Sequence, residues 1–197
     1  MKKIFITNGS GTNGKDTFAK ALAKYIPTFK YSSINLVKDM LKLAGIEEGE
    51  KTEEYRLLCS DLKDRLTKYD DIPFKDVASI VADFKNNLIE TEVLLIDIRE
   101  PEEIARAVET FGAKTILIRN PNVKKIESNH ADRDVENYDY DYIIENNGTL
   151  EQLESVAKDF VETIIKGETN IIDNSYYKFD VQKDKICTII ECNKMLR

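Results

Sequence analysis

Three glycines, Gly9, Gly11 and Gly14, fall within six residues of a chain that has only eight. Lys15 follows directly, so residues 9–15 read G-x-x-x-x-G-K. At this chain's own glycine and lysine frequencies, chance would give about 0.04 such matches. The residue types suit one task. A loop that turns successive backbone N–H groups toward phosphate oxygens needs positions without a Cβ, and a lysine adds a flexible full charge. An apolar run at 3–7 precedes the loop and a helical period follows, which would add the positive end of a helix dipole. Nucleotide phosphates are the expected ligand. The expected contacts are Gly9, Ser10, Gly11, Thr12, Asn13, Gly14, Lys15, Asp16 and Thr17.

A hydroxyl residue usually follows the lysine of such a loop and ligates Mg²⁺. Here Asp16 stands there, with Thr17 next. A carboxylate ligates Mg²⁺ directly or holds one of its waters, so Asp16 is expected at the metal and Thr17 at a phosphate. A second acid, Asp97, lies near the end of the apolar run 93–98, where it would orient the same metal. The competing reading is a cap on the helix that starts at Pro101. Arg99 would lie at the same sheet edge and suits a phosphate of a second substrate, against a surface salt bridge with Glu102 or Glu103. Residues 119–140 bring Arg119, Lys124, Lys125 and Arg133 into an acidic chain. A loop closing cations over transferring phosphates is one reading, with Arg119 on substrate and Arg133 catalytic beside Lys15 and Asp97. A solvated loop of mixed charge is the other.

The composition bounds the rest. At 197 residues, 42% of them apolar, the chain is expected to form one domain, or one with a small appendage. The net charge of -7 argues against a nucleic-acid polymer as partner but allows a small anion. One histidine, His130, excludes His-rich metal sites, and its expected role is structural. Cys59, Cys187 and Cys192 lack Cys-x-x-Cys spacing and suit a reducing cytoplasm. The longest apolar run, VLLI at 93–96, is far below membrane-spanning length, so neither membrane nor leader is expected. The partner expected is a small-molecule phosphate acceptor, with a homodimer left open.

Positioning these residues takes strands that alternate with helices. Strands are expected at 3–7, 29–32, 93–98, 114–118 and 141–145. Apolar residues at helical spacing include Phe18, Leu22 and Ile26; Val37 and Leu41; Cys59, Leu62 and Leu66; Val77, Val81 and Phe84; and Ile104, Val108 and Phe111. A last helix opens with Thr149 and Gln152 at capping-box spacing. The class is therefore α/β, with a parallel sheet covered on both faces. Residues 45–54 read as a mobile connection. Residues 1–167 form the expected domain, and 168–197 a β-hairpin turning near 182–185, as an appendage or an edge extension.

The run GSGTNGKDT, then DIREPEEIARAVETFGAKTILIRNP, then SNHADRDVENYDYDYIIENNGTLEQL, resembles the deoxynucleoside monophosphate kinases of phages and bacteria. The closing ENNGTLEQL is also similar to dephospho-CoA kinases. The resemblance covers roughly residues 1–165, with 45–90 alike only in layout. It implies a P-loop NTPase fold with five parallel strands ordered 2-3-1-4-5, ATP as donor and Mg²⁺ as cofactor. It further implies that Asn146, Asn147 and Gly148 line the adenine, and that Asp97 and Arg99 face the metal and the acceptor phosphate. One motif departs: His130-Ala131-Asp132-Arg133 puts a cation where the family's lid has an acid. The expected function is ATP-dependent phosphoryl transfer to a nucleoside or deoxynucleoside monophosphate. The alternatives are another phosphorylated acceptor such as dephospho-CoA, or a nucleotide-binding regulator without catalysis.

Overall fold

A computed structural model describes residues 2–47, 49, 52–123 and 135–167, together with the backbone of Tyr177–Asp180 and Lys185–Thr188. Five parallel strands form the centre: β1 (Lys3–Asn8), β2 (Thr28–Ser32), β3 (Val93–Asp97), β4 (Lys114–Arg119) and β5 (Tyr142–Glu145). Their order is β2-β3-β1-β4-β5, as the family resemblance implies. The expected hairpin strands are also present, as β6 (Tyr177–Asp180) and β7 (Lys185–Thr188). β6 pairs parallel to β5 and β7 antiparallel to β6, so the sheet continues outward to seven strands. Of the turn expected near 182–185, residues 182–184 lie outside the described residues and Lys185 opens β7.

Alternation along the strands builds two cores, because successive side chains point to opposite faces of a sheet. On one face Phe5, Leu95, Ile116 and Ile118 pack against α1 (Lys15–Ala23) and a late helix through Phe18, Leu22, Val156 and Phe160. Phe160 meets Phe5 and Phe18 edge-on, with centroids 5.5 and 6.0 Å apart. On the other face Ile6, Leu94, Ile96 and Leu117 receive Val77 and Phe84 from α4 (Ile72–Lys85) and Ile104 and Phe111 from α5 (Pro101–Phe111). All five residues of β3 are buried, as a doubly covered parallel strand requires.

Two more helices complete one side of the carboxyl edge. They are α2 (Asn35–Leu43) and α3 (Glu53–Asp70), joined by a small core of Val37, Leu41 and Cys59. The acidic stretch expected as connection to residue 54 ends earlier, because Thr52 caps α3: its hydroxyl accepts from Tyr55 N at 3.2 Å, and Glu53 and Glu54 favour the positive end of the helix. The late helix, α6 (Leu150–Phe160), opens with the expected capping box. Gln152 N donates to Thr149 Oγ1 at 3.3 Å and Thr149 N donates to Gln152 Oε1 at 2.8 Å. A π-helical turn, Val161–Ile165, continues it.

Candidate functional site

β1 ends at Asn8 and the chain curls at once. Gly9 has φ +153°, Thr12 +69° and Gly14 +96°, so three of six residues leave the ordinary backbone regions. Glycine is required twice for space as well. A Cβ on residue 9 would lie 2.3 Å from Ile118 O, and one on residue 14 would lie 2.3 Å from Asn146 Nδ2. The curl delivers Lys15 as the first residue of α1, and its Nζ donates back across the loop to Gly9 O at 3.0 Å. No side chain caps α1, so its leading N–H groups face the loop. Ser10 and Asn13 are buried in the loop, whereas Thr12, Asp16 and Thr17 are exposed.

The β5–α6 connection braces this loop. Asn146 Nδ2 donates to Asn13 O at 3.1 Å, and Asn146 N donates to Arg119 O at 2.8 Å. Asn146 thus lies against the phosphate loop; it and Asn147 are half-buried and Gly148 is exposed.

The register aligns Thr7, Asp97 and Ser32 across the carboxyl edge of three strands. Asp97 is buried, and it caps no helix: Glu100 occupies the N-cap position of α5. Thr7 Oγ1 donates to Asp97 Oδ1, while Lys30 Nζ donates to Asp97 Oδ2 at 2.7 Å and to Asp16 Oδ1 at 2.6 Å. Lys30, on β2, therefore joins the two acids singled out from the sequence. Burial works against its charge, but the Asp97 charge and the hydrogen bonds to both carboxylates outweigh that and raise its pKa.

Mg²⁺ asks for one or two protein carboxylates, the rest of its octahedron being water and phosphate oxygen. Asp16 and Asp97 fit that demand, since they already converge on one cation. Among the described residues no group of three or more His, Cys, Asp or Glu could form an all-protein cage.

Two clefts flank the loop. The first, a cavity of about 150 Å³, is lined by Lys15, Lys38, Arg56, Asp97 and Arg99, with Tyr55 and Cys59 supplying apolar wall and Ser32, Ser33 and Ser60 hydroxyls. The second, about 260 Å³, is lined by Ser10, Asn13, Arg119, Asn120, Glu136 and Glu145. Arg99 and Arg119 are therefore not brought together. Arg119 Nε and NH2 donate to Glu145 Oε1 at 3.1 and 2.5 Å. Arg133, Lys124, Lys125 and His130 lie outside the described residues.

Two further arrangements escaped sequence reasoning. Asn8 Nδ2 donates to Tyr140 OH at 2.7 Å and to Arg99 O at 3.1 Å, its Oδ1 accepts from Gly9 N at 2.8 Å, and Tyr140 OH donates to Val135 O at 2.7 Å. One side chain thus ties the loop, the Arg99 backbone and the 135–140 segment together. Lys63 of α3, buried at 7% exposure, donates to Glu100 Oε2 at 2.9 Å and Glu103 Oε2 at 2.5 Å at the start of α5. Glu103, one of the salt-bridge partners considered for Arg99, is thus engaged by Lys63.

No family model matches the chain, and no curated protein matches it. Ten solved chains do. One is the shikimate kinase of Aquifex aeolicus, at 15% identity and TM-score 0.43, covering 86% of this chain and 99% of that one. That likeness concerns the course of the backbone; the chemistry of the site rests on the residues above. Among the described residues no helix is long and apolar enough to cross a membrane.

Proposed function

We propose that the protein is an ATP-dependent small-molecule kinase that phosphorylates a nucleoside or deoxynucleoside monophosphate. The observation that carries this reading is one crevice in which the curled glycine loop and Lys15 adjoin Asp97, Arg99 and a cation-lined cavity. The donor's phosphates would lie in the loop of residues 9–17, with its base toward Asn146, Asn147 and Gly148. The acceptor would lie between Arg99 and helices α2 and α3.

In the reaction an acceptor phosphate oxygen attacks the γ-phosphorus. The bond from that phosphorus to the β,γ-bridging oxygen breaks, and ADP leaves with the electron pair. The attacking oxygen is already anionic, so no general base is needed, in keeping with a chain that has one histidine. The work left to the protein is positioning and charge neutralisation. Lys15 follows the charge on the transferring group, Arg99 holds the acceptor phosphate, and Arg133 would serve the transferring phosphoryl group. Asp16 and Asp97 would hold Mg²⁺, which when bound supplies neutralisation of the β- and γ-phosphate oxygens.

ADP release with ATP and Mg²⁺ should be measured against a panel of ribo- and deoxyribonucleoside monophosphates, dephospho-CoA, and no acceptor. Turnover with one nucleoside monophosphate is expected. Turnover only with dephospho-CoA would move the acceptor assignment, and binding without any turnover would replace it with a regulator.

A further inference from the structure

Lys30 has a place that the phosphate loop alone does not explain. β2 reads Thr28-Phe29-Lys30-Tyr31-Ser32, and its alternation sends Phe29 and Tyr31, stacked at 6.4 Å, into the α4–α5 core. Lys30 therefore projects to the α1 face, where one ammonium touches carboxylates from two separate elements, the first turn of α1 and the end of β3. The Lys30 side chain is 28% exposed and that of Asp97 11%, so that pairing is no idle surface contact, while Asp16, 68% exposed, meets the same ammonium from the solvent side. Two acids set this close would repel each other without a cation between them.

We propose that Lys30 is a built-in stand-in for the metal: it holds Asp16 and Asp97 in a cation-receiving arrangement and makes divalent-metal binding conditional on nucleotide. This rests on the kinase reading for the identity of the nucleotide. Without nucleotide, two carboxylates and one ammonium leave the cluster a single net negative charge. A hydrated divalent ion that sheds water reluctantly then gains little by entering. Phosphates seated in the loop offer the Lys30 ammonium new anionic acceptors, so it can leave the carboxylates as the metal arrives with the nucleotide. Lys30 is thus a positioning residue for the metal site as well as a competitor for it.

The test is Mn²⁺ binding followed by electron paramagnetic resonance on the full chain without nucleotide. Wild type should bind weakly, Lys30→Met at least about 10-fold more tightly (a factor of 10 corresponding to about 1.4 kcal/mol), and Lys30→Met combined with Asp97→Asn should lose the gain. Lys30→Arg, which keeps the charge, should stay near wild type. Equal Mn²⁺ affinity in wild type and a folded Lys30→Met would overturn the proposal. A second measurement needs no variant: the ¹⁵N resonance of the Lys30 ammonium should shift on adding Mg²⁺ with a non-hydrolysable ATP analogue and stay in place on adding Mg²⁺ alone. A shift with Mg²⁺ alone, or none when the analogue is bound, would also overturn it. If the analogue does not bind, the kinase reading fails, while the nucleotide-free Mn²⁺ comparison still decides the role of Lys30.

Discussion

Asn146 Nδ2 lies 2.3 Å from where a Cβ on Gly14 would stand, so the β5–α6 connection and the phosphate loop are fitted to each other by the absence of one atom. Gly14→Ala would push on that amide and disturb its bond to Asn13 O, while also straining a backbone at φ +96°. The expected outcome is at least about a 10-fold loss of ATP affinity, read by calorimetry. Gly112 is the control, since it has positive φ (+69°) but open space around it. Gly112→Ala should cost roughly 1–2 kcal/mol of stability and leave nucleotide affinity unchanged.

Asn8 offers a second point of attack. Removing its side chain leaves the buried Tyr140 hydroxyl and the Arg99 carbonyl each short of a partner. Asn8→Ala should lower stability by about 1–3 kcal/mol in denaturant titration. It should weaken acceptor binding more than Tyr140→Phe does, because only the former releases the Arg99 backbone. Equal effects on acceptor KM would show that this tie does not position Arg99.

The Lys63 cluster predicts a pH dependence. Burial pushes both partner carboxyls up; the Lys63 charge then holds Glu100 down at about 2, whereas Glu103, facing charged Glu100, stays up at about 7. The folded protein therefore keeps a proton on Glu103 that the unfolded chain has lost above its ordinary 4.5. Stability should fall as pH rises from about 4.5 to about 7 and then level off. Glu100 acts oppositely, its contribution being present above the ordinary carboxylate value and lost as pH falls toward 2. Glu103→Gln keeps that position neutral, so urea midpoints at pH 5 and pH 7.5 should differ less in the variant than in wild type. An equal drop in both would remove Glu103 as its source.

Thr149→Ala separates architecture from chemistry. It removes the acceptor of Gln152 N, at a cost of about 1 kcal/mol by thermal or chemical unfolding. ATP affinity should stay within about twofold of wild type, because the Thr149 hydroxyl bonds within the first turn of its own helix.

What the sequence revealed, and what it hid, follows from the range of the interactions. The loop, the strand pattern and the capping box depend on residues within a few positions of one another, and all appear in the structure. Lys30 is far in sequence from Asp97, and only the β2–β3 register brings them together. A lysine set between Phe29 and Tyr31 in a short strand was the signal that marked it. Asn8 reads as an ordinary strand end, and its partner Tyr140 lies 132 residues away. Lys63 sits in a helix rich in charge, so nothing local distinguished it from solvated neighbours such as Lys68. Arg99 and Arg119, alike on paper, separate because β3 and β4 open onto different sides of the loop.

The central claim, phosphoryl transfer from the Lys15 loop, is tested most directly by Lys15→Ala. The measurement is ADP production with saturating ATP, Mg²⁺ and the acceptor identified by the panel, alongside an unfolding curve to establish that the variant is folded. Lys15 makes its bond to Gly9 O at the mouth of the loop, so the fold should survive. Turnover should fall at least about 100-fold, the scale on which a single charge stabilising the transition state acts. Near-normal turnover in the folded variant would contradict the assignment.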